Sequence, residues 1–68
     1  MNIVYTSYAY ERMRQRGITP FQVEFVIAHP EWIRKVGNKK TAIAAIDYRS
    51  VKVIFIEEET HIKIITVI

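Results

Sequence analysis

Three polar side chains that could act on a phosphate lie near the start of the sequence, four residues apart. Tyr8, Arg12 and Arg16 fall on one line of a helix, because a helix turns by about 100° per residue. Arginine can bind phosphate through two parallel hydrogen bonds, and cationic neighbours help a tyrosine act as an acid or a base. The line is compatible with metal-free RNA cleavage or RNA contact. An ordinary solvent-exposed helix surface explains the same spacing, and the spacing alone favours that alternative.

Other common chemistries have little support in the sequence. It contains no cysteine and only two histidines, His29 and His61, which are too far apart to form a metal site by themselves. The two glycines cannot make a glycine-rich phosphate loop, and no nucleophile motif is present. These observations exclude hydride transfer, ATP hydrolysis and classical acyl transfer. We expect no cofactor and no bound metal, with His29 at a helix end and His61 exposed at the start of a strand.

Positive charge is concentrated in the middle of the sequence. The net charge is +3, but residues 12 to 52 carry nine Lys or Arg residues against three acids. Such an excess attracts phosphates or an acidic protein, although a solvated surface is favoured on charge alone. The candidates for electrostatic contact with RNA are Arg14, Lys39, Lys40 and Lys52.

Two short helices are predicted to position these side chains. Thr6 or Ser7 caps the first, which runs to about Arg16 and ends at Gly17. The run from Thr19 to Gln22 has the pattern of a capping box with proline at the first helical position. The second helix therefore begins at that proline and ends before His29-Pro30.

The rest of the chain is rich in β-branched residues, which predict strands joined by short antiparallel hairpins. We predict a single α+β domain over residues 1–68, with two N-terminal helices packed on a four-stranded antiparallel sheet in ααββββ order. Asn2–Tyr5 is expected to be only an extended lead-in. The strands are placed near Trp32–Val36, Thr41–Tyr48, Val51–Glu57 and His61–Ile68.

Both faces of the predicted sheet are apolar. Val53 and Phe55 share one side while Ile54 and Ile56 share the other, and Ile62 and Ile64 oppose Ile65 and Val67 in the same way. Two helices can cover only one face, so we expect a homodimer or a protein partner bound through the other. Curling of the sheet over its own second face is the alternative.

The expected location is the cytoplasm. No apolar run has the roughly 18 residues that a membrane span requires, and the first residues lack the pattern of a signal peptide. The absence of cysteine also fits a reducing compartment. We therefore expect a soluble protein with no membrane partner.

The first predicted helix resembles a known motif. Residues 8–19, YAYERMRQRGIT, resemble the pattern H-A-x-x-R-M-x-x-R-G-I-(S/T) of domain-of-unknown-function family 4258, and the resemblance continues through residues 23–30 and 64–68. That family is similar to the RelE and BrnT toxins of toxin–antitoxin modules, which are small endoribonucleases. The resemblance implies that Tyr8, Arg12, Arg16 and Thr66 are the catalytic residues, that RNA is the substrate, and that an antitoxin is a partner.

Two positions differ from the family pattern and leave two hypotheses. Tyr8 stands where the family has histidine, and Ile68 stands where it has a final tyrosine. The first hypothesis is a metal-independent endoribonuclease toxin; the second is a non-catalytic module of the same fold that binds RNA or a protein. The two missing residues favour the second hypothesis, whereas the basic line of the first helix favours the first.

Overall fold

The computed structural model describes residues 2–68, which form five strands and two helices. The sheet order is β1-β5-β4-β3-β2, with β1 parallel to β5 and the other neighbours antiparallel. Within residues 2–68, neither helix has the length and apolar character needed to cross a membrane. In chain order the elements are β1 (Ile3–Tyr5), α1 (Ser7–Arg16), α2 (Pro20–Ala28), β2 (Trp32–Val36), β3 (Lys39–Ile46), β4 (Arg49–Glu57) and β5 (Ile62–Val67).

The predicted four-stranded antiparallel sheet is wrong, because the expected lead-in contains a fifth strand. Ile3, Val4 and Tyr5 pair in parallel with Ile62, Lys63 and Ile64 of β5. A parallel pair needs a long crossover, and here the crossover is almost the whole chain, so no local turn marks the pairing. The protein is a small α+β domain with two helices and a five-stranded mixed sheet.

The predicted helix ends are confirmed. The Thr6 hydroxyl accepts a hydrogen bond from the Ala9 N–H at 3.0 Å, and Gly17 closes α1 in the left-handed region at φ 66°. At the start of α2, the Gln22 N–H donates to the Thr19 hydroxyl, and the Thr19 N–H donates to the Gln22 side chain. This capping box fixes where the second helix begins.

Both helices pack on the same side of the sheet, which we call the covered face. From α1, Ala9 and Met13 join the buried core, and from α2, Val23 and Val26 do so. The strands contribute Ala42, Ala44, Val51, Val53, Phe55, Ile64 and Val67 to the same core.

Side chains alternate across a strand, so the intervening residues lie on the other side, which we call the open face. Its residues on β2 to β5 include Trp32, Arg34, Lys39, Thr41, Ile43, Lys52, Ile54, Ile56, Lys63 and Thr66.

A β-bulge changes the predicted alternation in β5. The pairing with β4 shifts between Ile54 and Phe55, so Ile64 pairs with Phe55 and Thr66 pairs with Ile54. The extra residue places both Ile64 and Val67 on the covered face, where each is fully buried. The prediction that Ile64 and Val67 lie on opposite sides is therefore wrong.

The turn between β3 and β4 lies earlier in the chain than predicted. It is Asp47–Tyr48, flanked by the pair Ile46 and Arg49, whereas the predicted strands end at Tyr48 and resume at Val51. Both turn residues have positive φ, at 49° and 67°, although neither is glycine. Asp47 suits the first position of such a turn, but Tyr48 stands where glycine is strongly preferred, so the Asn-Gly or Asp-Gly pair that would predict the turn is absent.

Candidate functional site

Tyr8 and Arg12 lie together on α1. The Arg12 guanidinium carbon is 5.8 Å from the centre of the Tyr8 ring, which is within the range of a cation–π contact. Tyr8 is exposed and Arg12 is half-buried. The Arg12 Nε is buried and has no hydrogen-bond partner within residues 2–68. A buried donor without a partner is uncommon in folded proteins, so this N–H is available to donate a hydrogen bond to a ligand oxygen.

Arg16 and Arg14 lie exposed in the last turn of α1. The Arg49 side chain donates a hydrogen bond to the main-chain oxygen of Arg16, which ties the start of β4 to the end of α1. Cations are favourable at a helix C-terminus because they offset the partial negative charge of its free carbonyls. These arginines thus stabilise the helix end, whatever else they contact.

Thr66 lies on the other side of the sheet from the α1 residues. It pairs with Ile54, whose neighbours Val53 and Phe55 are both in the core beneath the helices, so Ile54 and Thr66 face away from α1. The structure therefore brings Tyr8 and Arg12 together and separates Thr66 from them.

The three candidate lysines divide between the two faces. Lys40 lies on the covered face, opposite Phe55 in the β3–β4 register, and forms a salt bridge with Glu57. Lys39 and Lys52 lie on the open face, beside Ile56 and Ile43 respectively. Only Lys39 and Lys52 therefore share a surface.

The open face carries four cations, namely Arg34, Lys39, Lys52 and Lys63. None of the strand residues on this face within residues 2–68 is Asp or Glu. The nearby carboxylate of Glu31, which precedes β2, accepts a hydrogen bond from the Ala45 N–H at 2.9 Å. The open face therefore has a strong excess of positive charge.

Isoleucines lie between these cations in rows that cross the strands. Lys63, Ile56 and Lys39 form one row, and Lys52 and Ile43 lie in another with Trp32. Lys39 and Lys63 are two strands apart, which corresponds to about 10 Å between their main chains. Ile43 is only 7% exposed, although it is outside the core beneath the helices. Part of the apolar surface between the cations is therefore shielded from solvent.

An exposed aromatic ring lies at the β2 edge of this face. Trp32 is 46% exposed, and the Arg34 guanidinium carbon is 5.6 Å from the centre of its ring. Aromatic and guanidinium planes of this kind can stack on nucleic-acid bases. The edge therefore combines a stacking surface with positive charge.

Three residues of this surface were missed by the sequence argument: Trp32, Arg34 and Lys63. The predicted strand Trp32–Val36 already placed Trp32 and Arg34 on one side, so counting alternate residues finds them. Lys63 depends on which side of β5 faces the helices, and the bulge hides that from a simple alternation.

The two histidines have local contacts. His29 is the C-cap of α2, and its N–H donates to the Phe25 carbonyl at 2.8 Å. His61 has its Nδ1 3.2 Å from the Thr60 hydroxyl. Within residues 2–68, no three His, Cys, Asp or Glu side chains are grouped to hold a metal ion.

A family model matches nearly the whole chain. It is described as Domain of unknown function (DUF4258) and covers residues 5–68, from the end of β1 onward. No curated protein and no solved structure shows a significant match. The match confirms the resemblance to family 4258 and does not extend to the RelE and BrnT toxins.

Proposed function

The chain belongs to the domain family DUF4258, and from that premise we propose that it binds single-stranded RNA through the open face of its sheet. The observation that carries the proposal is the charge of that face. Arg34, Lys39, Lys52 and Lys63 lie there, and within residues 2–68 the strands place no carboxylate among them. Phosphate contacts by such cations supply most of the affinity in nucleic-acid binding without sequence preference.

The shape of the surface supports a single strand in preference to a duplex. A broad sheet face does not enter a groove, whereas unstacked bases can lie against it and reach side chains. Trp32 supplies one aromatic plane, and the lysines are spread across the strands where a phosphate backbone passes. The hydroxyls of Thr41 and Thr66 share the face and can hydrogen-bond to bases or to the 2′-hydroxyl.

Paired lysine variants on opposite faces test this proposal. We expect Lys39→Ala plus Lys52→Ala to weaken binding of a fluorescently labelled single-stranded RNA oligomer by about tenfold. The dependence of log affinity on log salt should also become shallower by roughly 1.4, because each lost phosphate contact on a single strand contributes ~0.7. Fluorescence anisotropy titrations at several salt concentrations measure both quantities.

The matched control is Lys35→Ala plus Lys40→Ala, which removes the same charge. These two residues pair with each other in the β2–β3 register and lie on the covered face. We expect the control to change the affinity by less than about twofold, because only general charge is lost. Equal losses of RNA affinity in both double variants, or no RNA binding by the wild-type protein, would exclude the open face as the RNA site. Binding of an acidic protein in place of RNA would point to the alternative of a protein-binding module.

One observation favours a second candidate, an endoribonuclease toxin of a toxin–antitoxin module. The Arg12 guanidinium lies beside Tyr8, its buried Nε has no partner among residues 2–68, and this pair has the chemistry to bind a phosphate oxygen and move a proton. RNA cleavage without a metal needs a base for the 2′-hydroxyl and an acid for the leaving oxygen. In this mechanism Arg12 and Arg16 hold the phosphate, and an antitoxin protein would neutralise the toxin.

Expression of α1 variants distinguishes this candidate. If the chain is such a toxin, its expression arrests growth, and Arg12→Ala plus Arg16→Ala abolishes both the arrest and RNA cleavage by the purified protein. Lys35→Ala is the control, because Lys35 is an exposed cation of β2 outside the Tyr8–Arg12 contact. Harmless expression together with intact RNA after incubation would eliminate the toxin and leave the binding module.

A further inference from the structure

The tip of the β3–β4 hairpin has an unfavourable backbone that the isolated chain does not explain. Asp47 and Tyr48 form a two-residue turn with φ of 49° and 67°, a conformation for which Asn-Gly or Asp-Gly is strongly preferred. The β2–β3 hairpin has glycine at its positive-φ position, Gly37 at 61°. Tyr48 is fully exposed, so its ring gains no burial in exchange for the strained backbone. Glycine at position 48 would therefore make the isolated chain more stable.

An apolar groove lies directly beside this tip. Phe21 and Phe25 of α2 form one wall, and Ala45, Ile46 and Asp47 form the other, around a volume of about 410 Å³. Phe21 is 80% exposed and Phe25 is 43% exposed. The projecting ring and the groove thus share Asp47 as a common boundary.

We propose that the chain forms a homodimer in which Tyr48 of each copy enters the groove of the other. In a twofold-symmetric interface the same patch meets itself, so each copy must offer both a projection and a cavity close to the axis. Tyr48 and the groove are adjacent in one chain, which meets that requirement. The Asp47 carboxylate at the groove edge also offers an acceptor for the tyrosine hydroxyl of the second copy.

The open face is a poor alternative for contact between two copies. A twofold pairing there would bring four cations against four cations, with no carboxylate from the strands to offset them. The groove and tip are dominated instead by aromatic and aliphatic side chains. Charge therefore directs the second copy to the hairpin tip and leaves the open face accessible.

The exposed area sets the expected strength of the dimer. Phe21, Phe25 and Tyr48 are 80%, 43% and 108% exposed, so burying what is exposed of them in both copies removes roughly 900 Å² of surface, with about 200 Å² for a whole aromatic side chain. That area is above most crystal-packing contacts and below the standard size for stable complexes. We therefore expect a weak dimer, with a dissociation constant on the order of micromolar.

The test combines association and unfolding measurements on Tyr48→Gly. Sedimentation equilibrium of the wild-type chain from about 1 to 500 μM should show a monomer–dimer equilibrium, and Tyr48→Gly should weaken it at least tenfold. In dilute, monomeric solution the same variant should have a Tm higher by roughly 4–8 °C, because glycine removes the backbone strain of the turn. An ordinary loss of structure would weaken association and lower Tm together.

Two further variants locate the interface. Phe21→Ser should weaken association as Tyr48→Gly does, without the gain in Tm, because Phe21 lies on the groove wall. Val36→Ser is the control, since Val36 is 71% exposed at the far end of β2 and should leave association unchanged. A wild-type chain that is monomeric at every concentration overturns the proposal and points to a different occupant of the groove. A dimer that survives both Tyr48→Gly and Phe21→Ser places the contact elsewhere and overturns it equally.

Discussion

The two faces of the sheet are made by the same strands and differ in almost every chemical property. On β4, Val53 and Phe55 are buried beneath the helices, while Lys52 and Ile54 alternate with them on the open face. The covered face presents apolar side chains to the helices, whereas the open face mixes isoleucine with four cations. One face therefore holds the domain together, and the other presents charge and apolar surface to a partner.

The arrangement follows from the small size of the chain. With 68 residues, the domain has two helices, of ten and nine residues, and these can cover only one side of a five-stranded sheet. Ile43 on the open face is nevertheless only 7% exposed, and it lies between Trp32 and Lys52 on the neighbouring strands. The open face is thus stable in water without being a second core.

Adjacent truncations on β4 provide the largest test of this difference between faces. Phe55→Ala should reduce the free energy of unfolding by about 3–5 kcal/mol, because Phe55 is 2% exposed and leaves a cavity under the helices. A domain of this length has a total stability of roughly 3–10 kcal/mol, so the loss is a large fraction of the whole and unfolds the variant where the wild-type stability is at the lower end. Urea denaturation followed by circular dichroism measures the change.

Ile54→Ala is the matched control, one residue away on the other face. Ile54 is half-buried and lies outside the core, so its truncation should cost only about 1 kcal/mol. Comparable losses of unfolding free energy in Phe55→Ala and Ile54→Ala would mean that the open face is packed as a second core. The distinction between the two faces would then have to be abandoned.

Local features of the fold were predictable, and distant pairings were not. The capping box at Thr19 and Gln22 and the glycine closing α1 depend on neighbouring residues alone, so the sequence pattern reveals them. The pairing of Ile3 with Ile62 depends on residues at opposite ends of the chain and has no local signal. The bulge in β5 likewise arises from how β5 meets β4, since nothing in the residue types of β5 marks it.

The same distinction applies to the candidate site. Helical periodicity predicts that Tyr8 and Arg12 are neighbours, and they are in contact. It cannot place Thr66, because the face on which Thr66 lies depends on the bulge and on which side the helices cover. The cations of the open face come from four different strands, so they become one surface only when the sheet order is known.

The change in stability at alkaline pH provides a smaller test, which concerns the edge of the covered face at β1. Tyr5 of β1 pairs with Ile64, and its hydroxyl donates to the Pro20 carbonyl at 3.5 Å. Burial raises the pKa of Tyr5 above its ordinary value of 10.0, and the charges of Glu24 and Tyr10 raise it further. The folded state therefore holds the Tyr5 proton more tightly than the unfolded state does. The resulting stability is fully present below about pH 10 and is lost as the pH rises through the higher folded-state pKa.

Tyr5→Phe isolates this contribution, because it keeps the ring and removes the titrating hydroxyl. We expect the wild-type protein to lose more stability than Tyr5→Phe between about pH 9 and pH 11.5, measured by urea denaturation at each pH. Tyr48→Phe removes a hydroxyl at the exposed hairpin tip instead, and it should keep the wild-type pH dependence because Tyr5 is still present. If Tyr5→Phe and the wild-type protein lose stability in parallel, the edge formed by β1 is as open to solvent as the other face. The helices would then cover only the central strands.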